Sequence, residues 1–223
     1  MAKNNSVLID SIVNRADEFY TTYEYVDAEV KYYKAAFENK VVYCPCDDCN
    51  WSNFVKYFKD NFTNFKLKKL IATCYNPNGH GTLYIYNGKD EIVKQMFSNG
   101  DFRHEEVRTI MKHSDIVVTN PPFNLIRHFI KELEDCNLKY LFVCTMLFFT
   151  NPFVFDLFKN GKATFGVQGD HGHFITNTKD FDYQISVTKK GLLRLKDSRW
   201  ITNIFIKEND PAEKPFSTID KRI

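Results

Sequence analysis

The chain has little glycine, almost no tryptophan, no long apolar run and no excess of either charge, and each shortage closes off a class of protein. Nine Gly in 223 residues, with no repeat or low-complexity block, exclude collagen-like and linker-type chains. Thirty Lys+Arg against 28 Asp+Glu leave +2, which excludes a histone-like polycation and an acidic disordered tail but leaves room for a local basic groove. No apolar stretch reaches the ~18–20 residues of a membrane span. The longest, at 140–149, is interrupted by Cys144 and Thr145. The start, Met1-Ala2-Lys3-Asn4-Asn5, is polar, and the apolar pair after it is too short for a signal-peptide core. Six Cys in a chain this long do not make a disulfide scaffold. Cys74, Cys136 and Cys144 lie in or beside apolar segments as ordinary thiols, so a reducing, cytoplasmic setting is expected.

What is present is a globular composition: 43 % hydrophobic and 16 % aromatic, with 21 Phe and 12 Tyr beside 2 Trp. A chain of this length buries roughly 70 % of its unfolded surface, enough for a core without staples, and suits one large domain. The spacing of Val26, Val30, Tyr33 and Phe37 predicts an amphipathic helix over 26–37. Val41-Val42-Tyr43-Cys44 reads as a buried strand, and Ser52 as the N-cap of a helix with Phe54, Val55, Phe58 and Phe62 on its apolar face. Further strands are predicted at 70–75, 115–119 and 140–144, with a short hairpin strand at 82–86. Helices are predicted at 90–97, 105–112, 125–133 and 153–159, the last stopped by Asn160-Gly161. Strand character recurs at 163–167, 183–188 and 199–206, and from 207 the chain is charged, carries Pro211 and Pro215, and reads as irregular. Buried strands alternating with helices predict an open α/β sheet, which binds ligands at the carboxyl ends of its strands where strand order reverses. The loops after Cys44, Tyr75, Phe102 and Thr119 are therefore where chemistry is expected.

The sharpest local feature follows the strand at 115–119. Asn120-Pro121-Pro122-Phe123 cannot continue a sheet and makes a rigid turn that presents an amide oxygen, prolyl carbonyls and an aromatic face together. A planar amino group on a heterocycle matches that set, the Asn120 oxygen and the Pro121 carbonyl each accepting one N–H while Phe123 stacks on the ring. A tight turn over a buried Phe is the bland alternative. Cys44, Cys46, Cys49 and Cys74 invite a zinc reading, but CxCxxC with Asp47-Asp48 inside is unlike a closed structural site, and no metal is expected. His171-Gly172-His173 reads as a solvated turn, and Lys66, Lys68 and Lys69 as a solvated face.

The chain resembles the EcoRI-type adenine-specific DNA methyltransferases. The resemblance runs in order through 17–130: Asp17-Glu18-Phe19-Tyr20-Thr21, Val41 to Cys44 with Cys46-Asp47-Asp48, Ser52-Asn53-Phe54 with Lys56-Tyr57-Phe58, Lys68 to Thr73, Gly100-Asp101-Phe102-Arg103, and Asp115 to Phe123. It implies a Rossmann-like, seven-stranded α/β fold and S-adenosylmethionine as cofactor. It also implies a target adenine flipped out of double-stranded DNA, since N6 is out of reach inside the stack. By the same resemblance Asn120, Pro121, Pro122 and Phe123 carry catalysis. Phe19, Tyr20, Thr21, Cys46, Asp47, Asp48, Asp101 and Phe102 then contact the cofactor, with Cys-Asp-Asp in the turn where most such enzymes carry glycine. Packing alternatives stand beside these: Asp47 and Asp101 as helix caps, Phe19 as core. Residues 1–207 are expected to form the methyltransferase core and 208–223 an irregular tail, with no separate target-recognition domain. Arg199 to Asn203 resembles the last core strand, and target recognition would fall to 168–196. A binding-only module, or a split enzyme completed by a second chain, is the alternative to an autonomous enzyme of restriction-modification type. The motif does not distinguish DNA from RNA.

Overall fold

The computed structural model describes residues 21–168 and 198–209 with their side chains, and strand backbone alone at 20, 173–175, 185–187 and 193–195. Strand β1 (Tyr20–Thr21) leads into helix α1 (Tyr23–Val30), whose N-terminus is capped by the Thr22 hydroxyl accepting from the Tyr25 N–H at 3.4 Å. The helix predicted over 26–37 is broken: a 3-10 turn, Lys31–Tyr33, separates α1 from the four-residue α2 (Lys34–Phe37). Then come β2 (Val41–Cys44), α3 (Asn53–Asp60) and β3 (Lys69–Cys74), close to expectation. Next are β4 (Thr82–Tyr86), β5 (Glu91–Gln95), α4 (Glu105–Lys112), β6 (Ile116–Thr119), α5 (Ile126–Asp135), β7 (Lys139–Thr145) and α6 (Pro152–Lys159). The remaining strands are β8 (Thr164–Phe165), β9 (His173–Ile175), β10 (Ile185–Val187), β11 (Leu193–Leu195) and β12 (Ser198–Thr202).

The main sheet has the order β5-β4-β3-β2-β6-β7-β12-β8. Its centre, β3-β2-β6-β7, is parallel, and antiparallel strands flank it on both sides. The fold is thus α/β as expected, with eight strands rather than seven. The additional strand is β5, read from sequence as a helix. Asn87 Oδ1 accepts from the Lys89 and Asp90 N–H groups at 2.9 and 2.7 Å, Gly88 supplies φ +94°, and this tight turn folds 91–95 back on β4 over five residue pairs. All five residues of β5 are exposed at the sheet edge, so the burial pattern that distinguishes strand from helix never developed. A second, four-stranded sheet, β1-β9-β11-β10, was not anticipated either.

Side chains alternate between two cores. Val42, Cys44, Leu70, Ile116, Val118 and Val143 face α1, α2 and α3. Tyr43, Ile71, Val117, Tyr140 and Phe142 face α4, α5 and α6. In the first core Glu29 of α1 is wholly buried. Its carboxylate accepts from the Tyr33 hydroxyl at 2.7 Å and from the N–H groups of Val167 and Gln168 at 2.8 and 2.7 Å, so it pins the chain just beyond β8 onto α1. Gly166 is obligatory beside it, because a Cβ there would strike Glu29 Oε1 and approach Trp200 Cβ at 2.6 Å. Burial holds the Glu29 carboxyl above its ordinary 4.5, although Tyr33 and the two N–H groups pull it down. A raised folded-state value makes the folded chain keep this proton longer than the unfolded chain. The stability it contributes is complete below pH 4.5 and lost as pH rises through the folded value. The urea midpoint of the wild type, relative to Glu29→Gln, is therefore expected to fall as pH rises through that window; a difference independent of pH would show that no shifted proton resides there.

Candidate active site

The chain runs from β2 out to β3, β4 and β5, then crosses back to lay β6 on the other side of β2. Strand order reverses between β2 and β6, and it is beside such a reversal, outside the carboxyl ends of the strands, that open α/β sheets form their ligand crevice. The turn Pro45-Cys46-Asp47-Asp48 leaves β2 on one side, and Asn120-Pro121-Pro122-Phe123 leaves β6 on the other. The two strongest sequence signals, 72 residues apart for Asp47 and Thr119, meet at one place.

The Asn-Pro-Pro turn is built as its sequence requires. Neither proline has an N–H for a ladder, so β6 stops at Thr119 and the chain passes into a 3-10 turn, Phe123–Leu125. The Pro122 carbonyl accepts from the Leu125 N–H at 3.0 Å and is used up in closing that turn. No backbone N–H engages the Pro121 carbonyl among the described residues. Pro121 is buried, Asn120 and Pro122 are half-buried, and Phe123, also half-buried, packs against the first core.

Across the crevice the two aspartates behave differently. Asp47 is buried, one oxygen accepting from the Ser52 hydroxyl at 2.5 Å and the other from the Thr119 hydroxyl at 2.6 Å. Ser52, the N-cap of α3 as predicted, accepts in turn from the Phe54 and Val55 N–H groups at 3.1 and 3.5 Å. Asp48 folds its own loop, accepting from the Asn50 N–H at 2.8 Å, and accepts the Cys74 thiol at 3.2 Å. Cys46 between them is half-buried. Beneath the turn, Thr73 donates to the Pro45 carbonyl at 3.1 Å and lies 2.6 Å from the Tyr43 hydroxyl. Cys44 and Cys144 are wholly buried and burial pushes both thiols far up, so neither is a nucleophile. Among the described residues no group of three or more His, Cys, Asp or Glu could hold a metal ion.

Asp101 lies in the loop that follows β5. That loop docks on the end of β3, where Asn76 N–H donates to the Asn99 carbonyl at 2.8 Å. Gly100, at φ +82°, sits so close to the Cys74 carbonyl that any Cβ would collide with it. Arg103 grips Asp101 in a fork, Nε at 2.9 Å and Nη2 at 2.5 Å, and this holds the carboxyl below its usual range. The Asp101 group is thus an ionised acceptor at neutral pH. Phe102 instead turns into the second core, 5.2 Å from the Phe129 ring. Thr21, at the end of β1, is buried; its carbonyl accepts from Asn53 Nδ2 at 2.8 Å while its hydroxyl meets no hydrogen-bond partner among the described residues. Phe19 and His171 lie outside the described residues, and Tyr20 and His173 are placed by backbone alone.

The profile of the family described as "Adenine-specific methyltransferase EcoRI" matches residues 10–98 and 85–214. The chain belongs to the EcoRI-type adenine-specific methyltransferase family. Relatives within that reach include the Type II methyltransferase M.EcoRI of Escherichia coli, 37 % identical over 94 % of this chain and 73 % of the relative. M.MpnI of Mycoplasma pneumoniae is 33 % identical over 88 % of this chain, and M.MgeORF184P of Mycoplasma genitalium 30 % identical over 90 %. The chain spans 63 % and 64 % of those two, less than two thirds of each. No solved structure matches. Among the described residues no helix is long and apolar enough to cross a membrane. What sequence reasoning missed beside the Asn-Pro-Pro turn is Thr119 and the double duty of Ser52. A Ser five residues after Asp47 was visible only as a cap, and Thr119 only as the last strand residue.

Proposed function

We propose that this chain transfers a methyl group from S-adenosylmethionine to the N6 amino group of an adenine in double-stranded DNA, as the modification half of a restriction-modification system. The observation that carries the reading is the Asn120-Pro121-Pro122-Phe123 turn at the carboxyl end of β6, facing the β2 turn across the point of strand reversal. The Asn120 side-chain oxygen and the Pro121 carbonyl accept the two N–H bonds of the target amino group. Drawing both hydrogens to one side weakens conjugation with the ring and concentrates the lone pair on nitrogen. Phe123 supplies the stacking surface for a base taken out of the duplex, where a face-on aromatic is worth about 1–3 kcal/mol. Once methylated, the nitrogen carries a positive charge and loses one proton to solvent, while the two oxygens stay hydrogen-bond acceptors.

The residues present suit the cofactor. The buried Thr21 hydroxyl, without a partner among the described residues, the ionised Asp101 and the half-buried Cys46 and Asp48 offer polar contacts around the crevice, and the glycine-tight Gly100 loop brings Asp101 to the end of β3. When bound, S-adenosylmethionine supplies a methyl group on a sulfonium, which passes in line to nitrogen as sulfur retains the C–S bonding pair. The protein's share is orientation and electrostatics. Phe19 and Tyr20, which precede Thr21 in the sequence, belong to the same cofactor-binding motif. Phe102 serves that wall by packing, through Phe129, and Pro122 serves catalysis by closing the turn.

Mass spectrometry of host DNA nucleosides after expression is expected to find N6-methyladenine above the vector control; none at full expression would sink the proposal. Asp101→Ala is expected to weaken cofactor binding about tenfold or more, the loss of a hydrogen bond to a charged group being worth about 1.5–3 kcal/mol. Calorimetric titration of the cofactor checks this, and unchanged affinity would move Asp101 out of the pocket.

A further inference from the structure

We infer that Asp47 and Thr119 are positioning residues that hold Asn120 in its working orientation, an inference that rests on the catalytic reading of Asn120 above. The β2–β6 ladder pairs Val42 with Ile116 and Tyr43 with Val117, and goes no further. Beyond it no ladder pair joins the two strands among the described residues. Thr119 is still held on the β7 side by its pairing with Phe142, but its β2 side has no ladder. The two residues after Asn120 are prolines, which donate no backbone hydrogen bond. At this gap the Asp47 carboxylate takes the place of the ladder. It accepts Thr119 Oγ1 at 2.6 Å with one oxygen and Ser52 Oγ at 2.5 Å with the other. Thr119 is wholly buried and Asp47 is 7 % exposed, so the bridge is shielded from water.

The bridge reaches further through α3. Ser52 is that helix's N-cap, and the next residue, Asn53, donates to the Thr21 carbonyl of β1 at 2.8 Å. One carboxylate therefore ties the catalytic turn to the helix terminus that also holds β1. Asn120, bonded directly to Thr119, takes its direction from this anchor on one side and from β7 on the other. Asp47 thus acts on the reaction through Thr119, without touching the acceptor base.

Thr119→Val removes the hydroxyl at nearly constant shape, and Thr119→Ser restores it. For Thr119→Val we expect kcat to fall about 10–100-fold, the scale of a 1 Å misplacement, with cofactor affinity within about threefold of wild type. Hydrogen exchange at the amides of Asn120 and residues 123–126 should accelerate about tenfold, while β2 and β7 keep their protection. Thr119→Ser should return both readouts to near wild type. Where Thr119→Val fails to fold, Asp47→Asn, of almost identical shape, is put through the same measurements. Unchanged exchange in the turn overturns the inference. So does a loss of cofactor affinity as steep as the loss of kcat, which would place Asp47 on the cofactor instead. Wild-type protein that methylates no DNA would bring down the catalytic reading, and the exchange comparison would still decide whether the bridge holds the turn.

Discussion

Replacing Asn120 with alanine is expected to lower methyl transfer at least about 10²–10³-fold, the usual cost of removing one placed hydrogen-bonding group at a reacting centre. The cofactor should bind within a few-fold of wild type. Asn120 stands at the end of β6, while Cys46 and Asp48 follow β2 and Asp101 lies in the loop docked on the end of β3. Its side chain is half-buried and belongs to a turn closed by the Pro122–Leu125 bond, so folding should lose little. The loss should fall on kcat rather than on KM for DNA, because the amide acts on the nitrogen only as its lone pair is drawn out. Radiolabelled methyl transfer beside calorimetric cofactor titration separates the two quantities. Turnover unchanged in the variant would remove the Asn-Pro-Pro turn from the chemistry altogether.

The largest expected effect on stability comes from the other side of the sheet. Glu29→Ala strips three hydrogen-bond donors of their acceptor at once: the Tyr33 hydroxyl and the N–H groups of Val167 and Gln168. It also leaves a cavity beside Trp200 and Gly166, where the carboxylate was packed. Each buried donor left without an acceptor costs about 1–3 kcal/mol, so a loss of at least about 3 kcal/mol is expected. For a chain of this size each kcal/mol moves Tm by roughly 2–4 °C, so a fall of roughly 10 °C is expected by calorimetry. Glu29→Gln should lose less, since one oxygen remains to accept, though its NH₂ must face a donor. A Tm within 2–3 °C of wild type in Glu29→Ala, about one kcal/mol on the same scale, would mean that the segment after β8 does not depend on this anchor.

Much of this architecture was legible because local and tertiary forces agree. Val41 to Cys44 and Ile116 to Thr119 are runs of β-prone residues buried on both faces, which only a central parallel strand requires, and punctuation by Pro45 and Pro121 marked their ends. Ser52 capped α3 as its chemistry dictates. The failures lie where the two forces part. Residues 91–95 carry Ile92 and Val93 beside Met96 and Phe97 at a spacing that suits a helix, yet the Asn87–Asp90 turn hands the chain to β4, whose free edge outweighs a weak helical preference. The small sheet joining β1 to β9 was illegible because its strands are two and three residues long and their partners lie far apart in sequence.

The site divides in the same way. The residue types for holding a planar amino group, and the rigid turn that presents them, were determined by Asn120-Pro121-Pro122-Phe123 alone, since two prolines leave the backbone almost no choice. The sequence likewise determined the acidic, glycine-free turn after β2. Only the tertiary structure decided what each aspartate does. Asp47 and Asp48 are neighbours on the chain, but one points into the protein to bind Ser52 and Thr119 while the other closes its own loop. The contact with Thr119 spans 72 residues and exists only because β6 returns to the far side of β2. A carboxylate's role follows from the donors around it, and those donors are brought together by the order of strands in the sheet, which no local pattern of residues encodes.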